Sequence, residues 1–172
     1  MKDRRGFTLI ELMIALAIVG IGLVIAISNL QRWVYKTNAR GFQREVFTRF
    51  QEARIRASSS GGRHRVVLDL GNGTAVLQLR GASSWSGINL PQVQAPTRSR
   101  FASVTPNPGS VVTTGTYAFV FNPSGEAYGQ PTITNDNSIA LIDNAIILLT
   151  GANSQDDASI TVFGWTGKAR LN

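Results

Sequence analysis

The sequence has 172 residues, 43% of them hydrophobic, and a formal net charge of +7 at pH 7. That length leaves room for one modest folded domain after a membrane helix, and not for two domains. Cysteine is absent, which excludes zinc thiolate sites, redox motifs, cysteine nucleophiles and disulfides, so a folded domain must be held together by its core alone.

A charged leader meets a long apolar run at the N-terminus. The leader, residues 1–6, carries one lysine, one aspartate and two arginines and ends at Gly6. In the run that follows, residues 7–27, only Thr8 and Glu11 are polar. Its length matches the roughly 20 apolar residues that cross a bilayer as a helix. A carboxylate inside such a helix costs about 2.5 to 3.5 kcal/mol, so Glu11 is a functional candidate that needs a partner.

Two simpler interpretations of this run compete with a processed and retained helix. A secretory signal would be cut after the apolar run at a small-residue motif, but residues 28–33 read Ser-Asn-Leu-Gln-Arg-Trp and supply an interfacial aromatic and a basic stop. A plain single-pass anchor would let Glu11 reach the nearby membrane interface. The two arginines of the leader favour a cytoplasmic start, whereas Arg32 and Lys36 favour the opposite orientation on charge alone.

This N-terminus resembles that of type IV pilins and type II secretion pseudopilins: a basic leader that ends in Gly6, then Phe-Thr-Leu-Ile-Glu-Leu from Phe7. The resemblance implies that a prepilin peptidase cuts between Gly6 and Phe7 and methylates the new amine of Phe7. It also implies that Glu11 pairs with the N-terminal amine of a neighbouring pilin in a helical filament. Either charge alone would be costly to bury, and the two neutralise each other. The protein is then expected to cross the bacterial inner membrane once, with a periplasmic globular domain.

The helical pattern continues beyond the apolar run. Its apolar residues recur at spacings of four and three: Phe42, Val46, Phe50, Ala53 and Ala57. This spacing predicts an amphipathic helix, and the Ser-Ser-Ser-Gly-Gly sequence at 58–62 is expected to end it. We predict one helix with a transmembrane and filament-core part over residues 7–30 and an amphipathic part over residues 31–60.

From His64 the hydrophobic period becomes that of strands. Two apolar runs, 65–70 and 74–79, flank Gly-Asn-Gly, which is a strong hairpin signal. Later strands are predicted over residues 117–121, 138–142, 146–150, 159–165 and 168–171. Because the helix precedes the hairpins, we predict an α+β, pilin-like fold in which the long helix packs on a C-terminal antiparallel β-sheet domain, residues 61–172. The Pro-, Ser- and Thr-rich residues 81–116 are predicted to form a long loop, either functional or partly disordered.

Three further stretches resemble the GspH/FimT family of minor pseudopilins and pilins. They are Gln-Glu-Ala-Arg-Ile-Arg-Ala at 51–57, Phe-Asn-Pro-Ser-Gly at 121–125, and a terminal strand that leads into Gly-Lys-Ala-Arg at 167–170. The resemblance implies a minor, non-enzymatic subunit that assembles into a type IV pilus or a type II secretion pseudopilus, close to the filament tip.

The excess of positive charge allows a second function. A cationic surface attracts polyanions such as DNA or anionic lipid in a salt-dependent manner. Some FimT relatives are DNA receptors for natural transformation, and their terminal Gly-Arg-x-Arg motif contributes to binding; Lys168 and Arg170 take those positions here, although lysine lacks the bidentate fork of arginine. Four other arginines could extend the patch: Arg63, Arg65, Arg98 and Arg100. Alternatively, the basic residues solubilise the domain or pair with acids on neighbouring filament subunits.

No catalytic, metal or cofactor site is predicted. His64 is the single histidine, and it lies between two arginines at the expected start of a strand, so it is a poor candidate for a general base. Asp156 and Asp157 are adjacent, and would point to opposite faces of a strand or cap a loop. Trp85 and Trp165 are expected to pack in the core or in turns, the alternative being that they stack on bases or sugars.

Overall fold

The structure, a computed structural model, describes residues 8–82, 84–131, 139–151 and 153–172. The chain forms two compact units, Met1–Tyr35 and Lys36–Asn172. Within the described residues one long helix precedes a series of strands. In chain order these are α1 (Leu9–Ser60), β1 (His64–Asp69), β2 (Thr74–Arg80), β3 (Trp85–Gly87), β4 (Val93–Gln94), β5 (Arg100–Asn107), β6 (Thr116–Phe121), β7 (Ala127–Gln130), β8 (Ala140–Leu141), β9 (Asn144–Thr150), β10 (Ala158–Phe163) and β11 (Ala169–Leu171).

The first unit consists of the N-terminal part of α1. Thr8 precedes the helix and acts as its cap, since its Oγ1 accepts the backbone N–H of Glu11 at 3.3 Å. The large apolar side chains described between Leu9 and Val34 are exposed. By length and composition this is the one helical stretch, among the described residues, that could cross a membrane. A surface so apolar needs a bilayer or other helices around it.

In the second unit the C-terminal part of α1 covers the sheets with the predicted stripe. All five residues of that stripe are buried: Phe42, Val46, Phe50, Ala53 and Ala57. The helix ends at Ser60, the last residue of the predicted amphipathic part. Gly61 follows with a φ of +66°, the left-handed conformation in which glycine commonly terminates a helix. The amphipathic part of the predicted helix is thus confirmed.

The strands are antiparallel, as predicted, but they form two sheets. The first sheet has the order β3-β2-β1-β6-β7-β8, with β4 also paired to β2, and the second has the order β11-β10-β9-β5. The helix packs on both. The ring of Phe50 lies 5.2 Å from that of Phe119 in the first sheet, and the ring of Phe42 lies 5.2 Å from that of Phe101 in the second. A single core between helix and sheets therefore joins the two sheets.

The β1–β2 hairpin closes at the predicted Gly-Asn-Gly turn. The carboxylate of Asp69 accepts hydrogen bonds from the backbone N–H of Asn72 at 2.9 Å, from its side-chain amide at 2.7 Å and from the N–H of Gly71 at 3.0 Å. These bonds lower the pKa of Asp69 below its usual 3.8. Gly73 completes the turn with a φ of +68°.

Residues 81–116, which the sequence predicts as a long loop, contain three strands instead. β3 and β4 extend the first sheet, and β5 forms one edge of the second. Val93, Phe101 and Val104 from this stretch are buried in the core. The sequence of β5 does not show the alternation typical of a strand, because the register shifts between Phe101 and Ser103 and because Pro106 lies within the strand. Bulges and prolines of this kind are tolerated on edge strands.

Candidate assembly and nucleic-acid sites

Glu11 lies in the first turn of α1, three residues after the capping Thr8. Its side chain is exposed among apolar neighbours on the helix. The unpaired N–H groups of a first helical turn carry partial positive charge, which favours a carboxylate there. The predicted cleavage site between Gly6 and Phe7 lies outside the described residues.

Lys168 and Arg170 lie on the hairpin formed by β10 and β11. The backbone N–H of Phe163 donates to the carbonyl of Lys168 at 2.9 Å, so these residues lie directly opposite each other. Arg170 is opposite Thr161. Both cationic side chains are exposed, whereas Ala169 packs against the core. The alternation of the strand therefore turns Lys168 and Arg170 toward solvent together.

The three stretches that resemble the GspH/FimT family meet at this hairpin. From α1, Arg54 Nε donates to the carbonyl of Thr166 at 2.9 Å and Gln51 Nε2 donates to that of Ala169 at 3.3 Å. Gly167 has a φ of +57°, and a side chain there would collide with the carbonyl of Gly125. The helix, the turn after β6 and the terminal hairpin thus hold one another in place, which gives these sequence patterns a structural role.

The candidate DNA contact Arg65 is buried, and its side chain is hydrogen-bonded inside the fold. The residue is 5% exposed. Its Nε donates to Gln78 Oε1 at 2.7 Å and its Nη1 donates to Gln130 Oε1 at 3.0 Å. The guanidinium carbon lies 4.3 Å from the ring centroid of Trp85, in a cation–π contact. Trp85 is therefore a packing residue, as predicted.

The remaining candidate arginines are exposed but lie in other places. Arg63 precedes β1 in the first sheet and lines a groove with Asn122 and Tyr128. Arg98 and Arg100 lie at the start of β5, on the edge of the second sheet opposite to β11. The structure thus keeps Lys168 and Arg170 together and separates them from the other predicted contacts.

Two helix arginines, Arg49 and Arg56, contact carboxylates of their own helix, whereas the alternative explanation pairs such arginines with acids on neighbouring subunits. Arg49 Nη1 lies 3.1 Å from Glu52 Oε2, and Arg56 Nη2 lies 2.9 Å from Glu52 Oε1. A weaker contact of 3.8 Å joins Arg49 to Glu45. These arginines pair with acids of their own helix, in the i to i+3 and i to i+4 positions that stabilise helices by about 0.2 to 0.5 kcal/mol per pair.

Comparisons with known proteins agree with this arrangement. Residues 1–27 match the family model of the prokaryotic N-terminal methylation motif.

Two structures of the minor pseudopilin EpsH from the type II secretion system of Vibrio cholerae are similar to this chain in fold. One is 14% identical and covers 78% of this chain and 96% of its own, with a TM-score of 0.53; the other is 14% identical and covers 79% and 94%, with a TM-score of 0.57. The type IV minor pilin FimU of Pseudomonas aeruginosa also matches, at 10% identity, 77% and 91% coverage and a TM-score of 0.49. No curated protein matches the chain.

Residues 1–27 match the N-terminal methylation motif, and the described residues have a pilin-like fold in which a long helix packs on antiparallel sheets. This fold is similar to that of the minor pseudopilin EpsH.

Proposed function

We propose that the chain is a minor subunit of a type IV pilus or a type II secretion pseudopilus and that it lies near the filament tip. One observation carries the proposal: Glu11 lies in the first turn of an exposed apolar helix, within the residues that match the methylation motif. An apolar helix with a single carboxylate near its start is suited to pack among identical helices that each offer an N-terminal amine. The tip position follows from the sequence resemblance to the GspH/FimT family of minor subunits.

Before assembly the protein would reside in the inner membrane. Residues 7–30 would form its single span, and the globular domain would lie on the periplasmic side. A prepilin peptidase of the inner membrane would remove residues 1–6 and methylate Phe7. Cleavage would create the cation that Glu11 of a neighbouring subunit neutralises, so processing and assembly would be chemically linked.

Processing can be tested by intact mass. When the chain is co-produced with an active prepilin peptidase, we expect it to lose residues 1–6 and to gain one methyl group at Phe7. A Gly6→Val variant should keep the leader, because a branched side chain would obstruct the cleaved bond. An inactive peptidase is the control. A wild-type chain that keeps Met1, beside an authentic prepilin that is cleaved in the same cells, would exclude the proposal.

Capture of DNA is the second candidate function, and the exposed pair Lys168 and Arg170 favours it. Cations on one face of a hairpin can neutralise successive phosphates and release their counterions. This function is compatible with the first, since a subunit near the tip would carry its hairpin on the filament surface.

The full chain, purified in detergent, is expected to retard DNA in a gel at low salt. Replacing Lys168 and Arg170 by alanine should weaken binding about tenfold and reduce its salt dependence by about two counterions. Replacing Arg40 and Arg44 by alanine removes the same charge from the exposed surface of α1 and is the matched control. If the wild-type chain fails to bind even at low salt, DNA capture is excluded.

A further inference from the structure

Two aromatic side chains on the terminal hairpin lie exposed to solvent. Phe163 is 40% exposed and Trp165 is 63% exposed. The sequence predicts that Trp165 packs in the core or in a turn, and the structure places it in the turn after β10. Its indole N–H donates to Asp143 Oδ1 at 3.3 Å, so one edge of the ring is held while most of the residue remains exposed. An exposed aromatic that is held in this way is suited to binding a planar partner.

The hairpin alternates these aromatics with cations. Ile160 and Val162 of β10 face the core, so Thr161 and Phe163 occupy the outer face of the strand. Phe163 is directly opposite Lys168, as their 2.9 Å backbone hydrogen bond requires. Arg170 is opposite Thr161 on the same face.

The neighbouring surface of β9 adds area without adding charge. Ile146 and Leu148 are exposed on the outer face of the second sheet, and Thr161 and Ser159 of β10 pair with them. The carboxylate of Asp143, which accepts the indole N–H, would repel a phosphate near Trp165. Lys168 and Arg170 together outweigh its charge.

We propose that this hairpin binds single-stranded DNA, with bases stacked on Phe163 and Trp165 and phosphates neutralised by Lys168 and Arg170. The proposal rests on the DNA-capture function and deepens it by naming the form of DNA. Stacking on aromatic side chains requires bases whose faces are free, which a duplex does not offer. Cations that track the backbone beside stacking platforms are the usual composition of a site for single strands.

The geometry also accounts for the lysine at position 168. An arginine can make bidentate hydrogen bonds to the edges of paired bases. Contact with a phosphate of a single strand needs only a point charge, which a lysine supplies. A lysine opposite Phe163 can contact the phosphate that joins a stacked nucleotide to the next one. The departure from Gly-Arg-x-Arg is therefore compatible with this mode of binding.

The test compares a labelled oligothymidylate with its matching duplex, using fluorescence anisotropy and the full chain in detergent. The wild-type chain is expected to bind the single strand about tenfold more tightly, and the oligothymidylate should quench the fluorescence of Trp165. Replacing Phe163 and Trp165 by alanine should lower single-strand affinity about tenfold and change duplex affinity less than twofold. Replacing both by tyrosine should restore binding, because a stacking surface is retained.

Two outcomes separate this inference from the function on which it rests. If the wild-type chain binds neither form of DNA at low salt, the capture function fails and the inference fails with it. If it binds both forms equally and the aromatic variants have no effect, capture survives and single-strand stacking is refuted. Should those variants then impair incorporation into filaments instead, the face is a subunit interface. Unchanged circular dichroism and thermal unfolding confirm that the variants fold.

Discussion

A Glu11→Ala variant is expected to be cleaved and methylated normally and yet to be lost from filaments. Without the carboxylate, the N-terminal amine of a neighbouring subunit would enter the apolar helix bundle unpaired. Leaving one member of a buried ion pair alone costs about 3 to 5 kcal/mol, and 3 kcal/mol is on the order of a hundredfold in an association constant. The measurement is the ratio of protein in sheared or purified filaments to protein in the inner membrane, in cells that make the filament.

Glu45→Ala is the matched control, since it removes an exposed carboxylate from the same helix within the second unit. Glu45 contacts Arg49 at 3.8 Å, a surface pair worth less than about 1 kcal/mol. We expect its incorporation to be normal. Normal incorporation of the Glu11 variant would contradict the proposed pairing and favour a plain anchor, in which the carboxylate merely reaches the membrane interface.

The helix could be predicted from the sequence because its determinants are local. Apolar residues at spacings of four and three indicate one face of an amphipathic helix. The residues of this stripe are buried in the structure. The hairpin at Gly71 to Gly73 is equally local, since its turn residues and flanking alternation lie within one short segment. Asp69, which accepts the hydrogen bonds of that turn, is the detail that hydrophobic pattern alone does not indicate.

The strands in residues 81–116 could not be predicted because their evidence is not local. β4 contributes only Val93 and Gln94, and it is a strand only because β2 pairs with it. The fate of Arg65 depends on the same stretch. Trp85 of β3 covers the guanidinium of Arg65. Arginine is usually a surface residue, and the strand that buries this one could not be predicted from the sequence.

The candidate site shows the same division. Lys168 and Arg170 share a face because they are two residues apart in a strand, which the sequence predicts directly. That Phe163 lies opposite Lys168 requires the register of the hairpin, and that Trp165 is exposed requires the tertiary fold. The contact of Gly167 with Gly125 is likewise invisible to spacing, although both glycines stand within recognisable sequence motifs.

Phe50 links the helix to the first sheet. It is fully buried, and its ring makes edge-on contacts with Phe119 at 5.2 Å and Phe121 at 6.2 Å. Such aromatic pairs add about 0.5 to 1.5 kcal/mol beyond the burial of their area. Since the backbone of α1 is fixed by neighbouring stripe residues, the surroundings of Phe50 have little freedom to collapse into an empty space.

A Phe50→Ala substitution is therefore expected to lower the free energy of unfolding of residues 36–172 by about 3 to 5 kcal/mol. The control is Ile55→Ala on the same helix, where the side chain is 62% exposed and a change within about 0.5 kcal/mol is expected. Urea denaturation followed by circular dichroism measures both. If Phe50→Ala is too unstable to purify, Phe50→Leu should cost about 1 kcal/mol. Equal stabilities for the Phe50 and Ile55 variants would mean that the helix does not form the core of this domain.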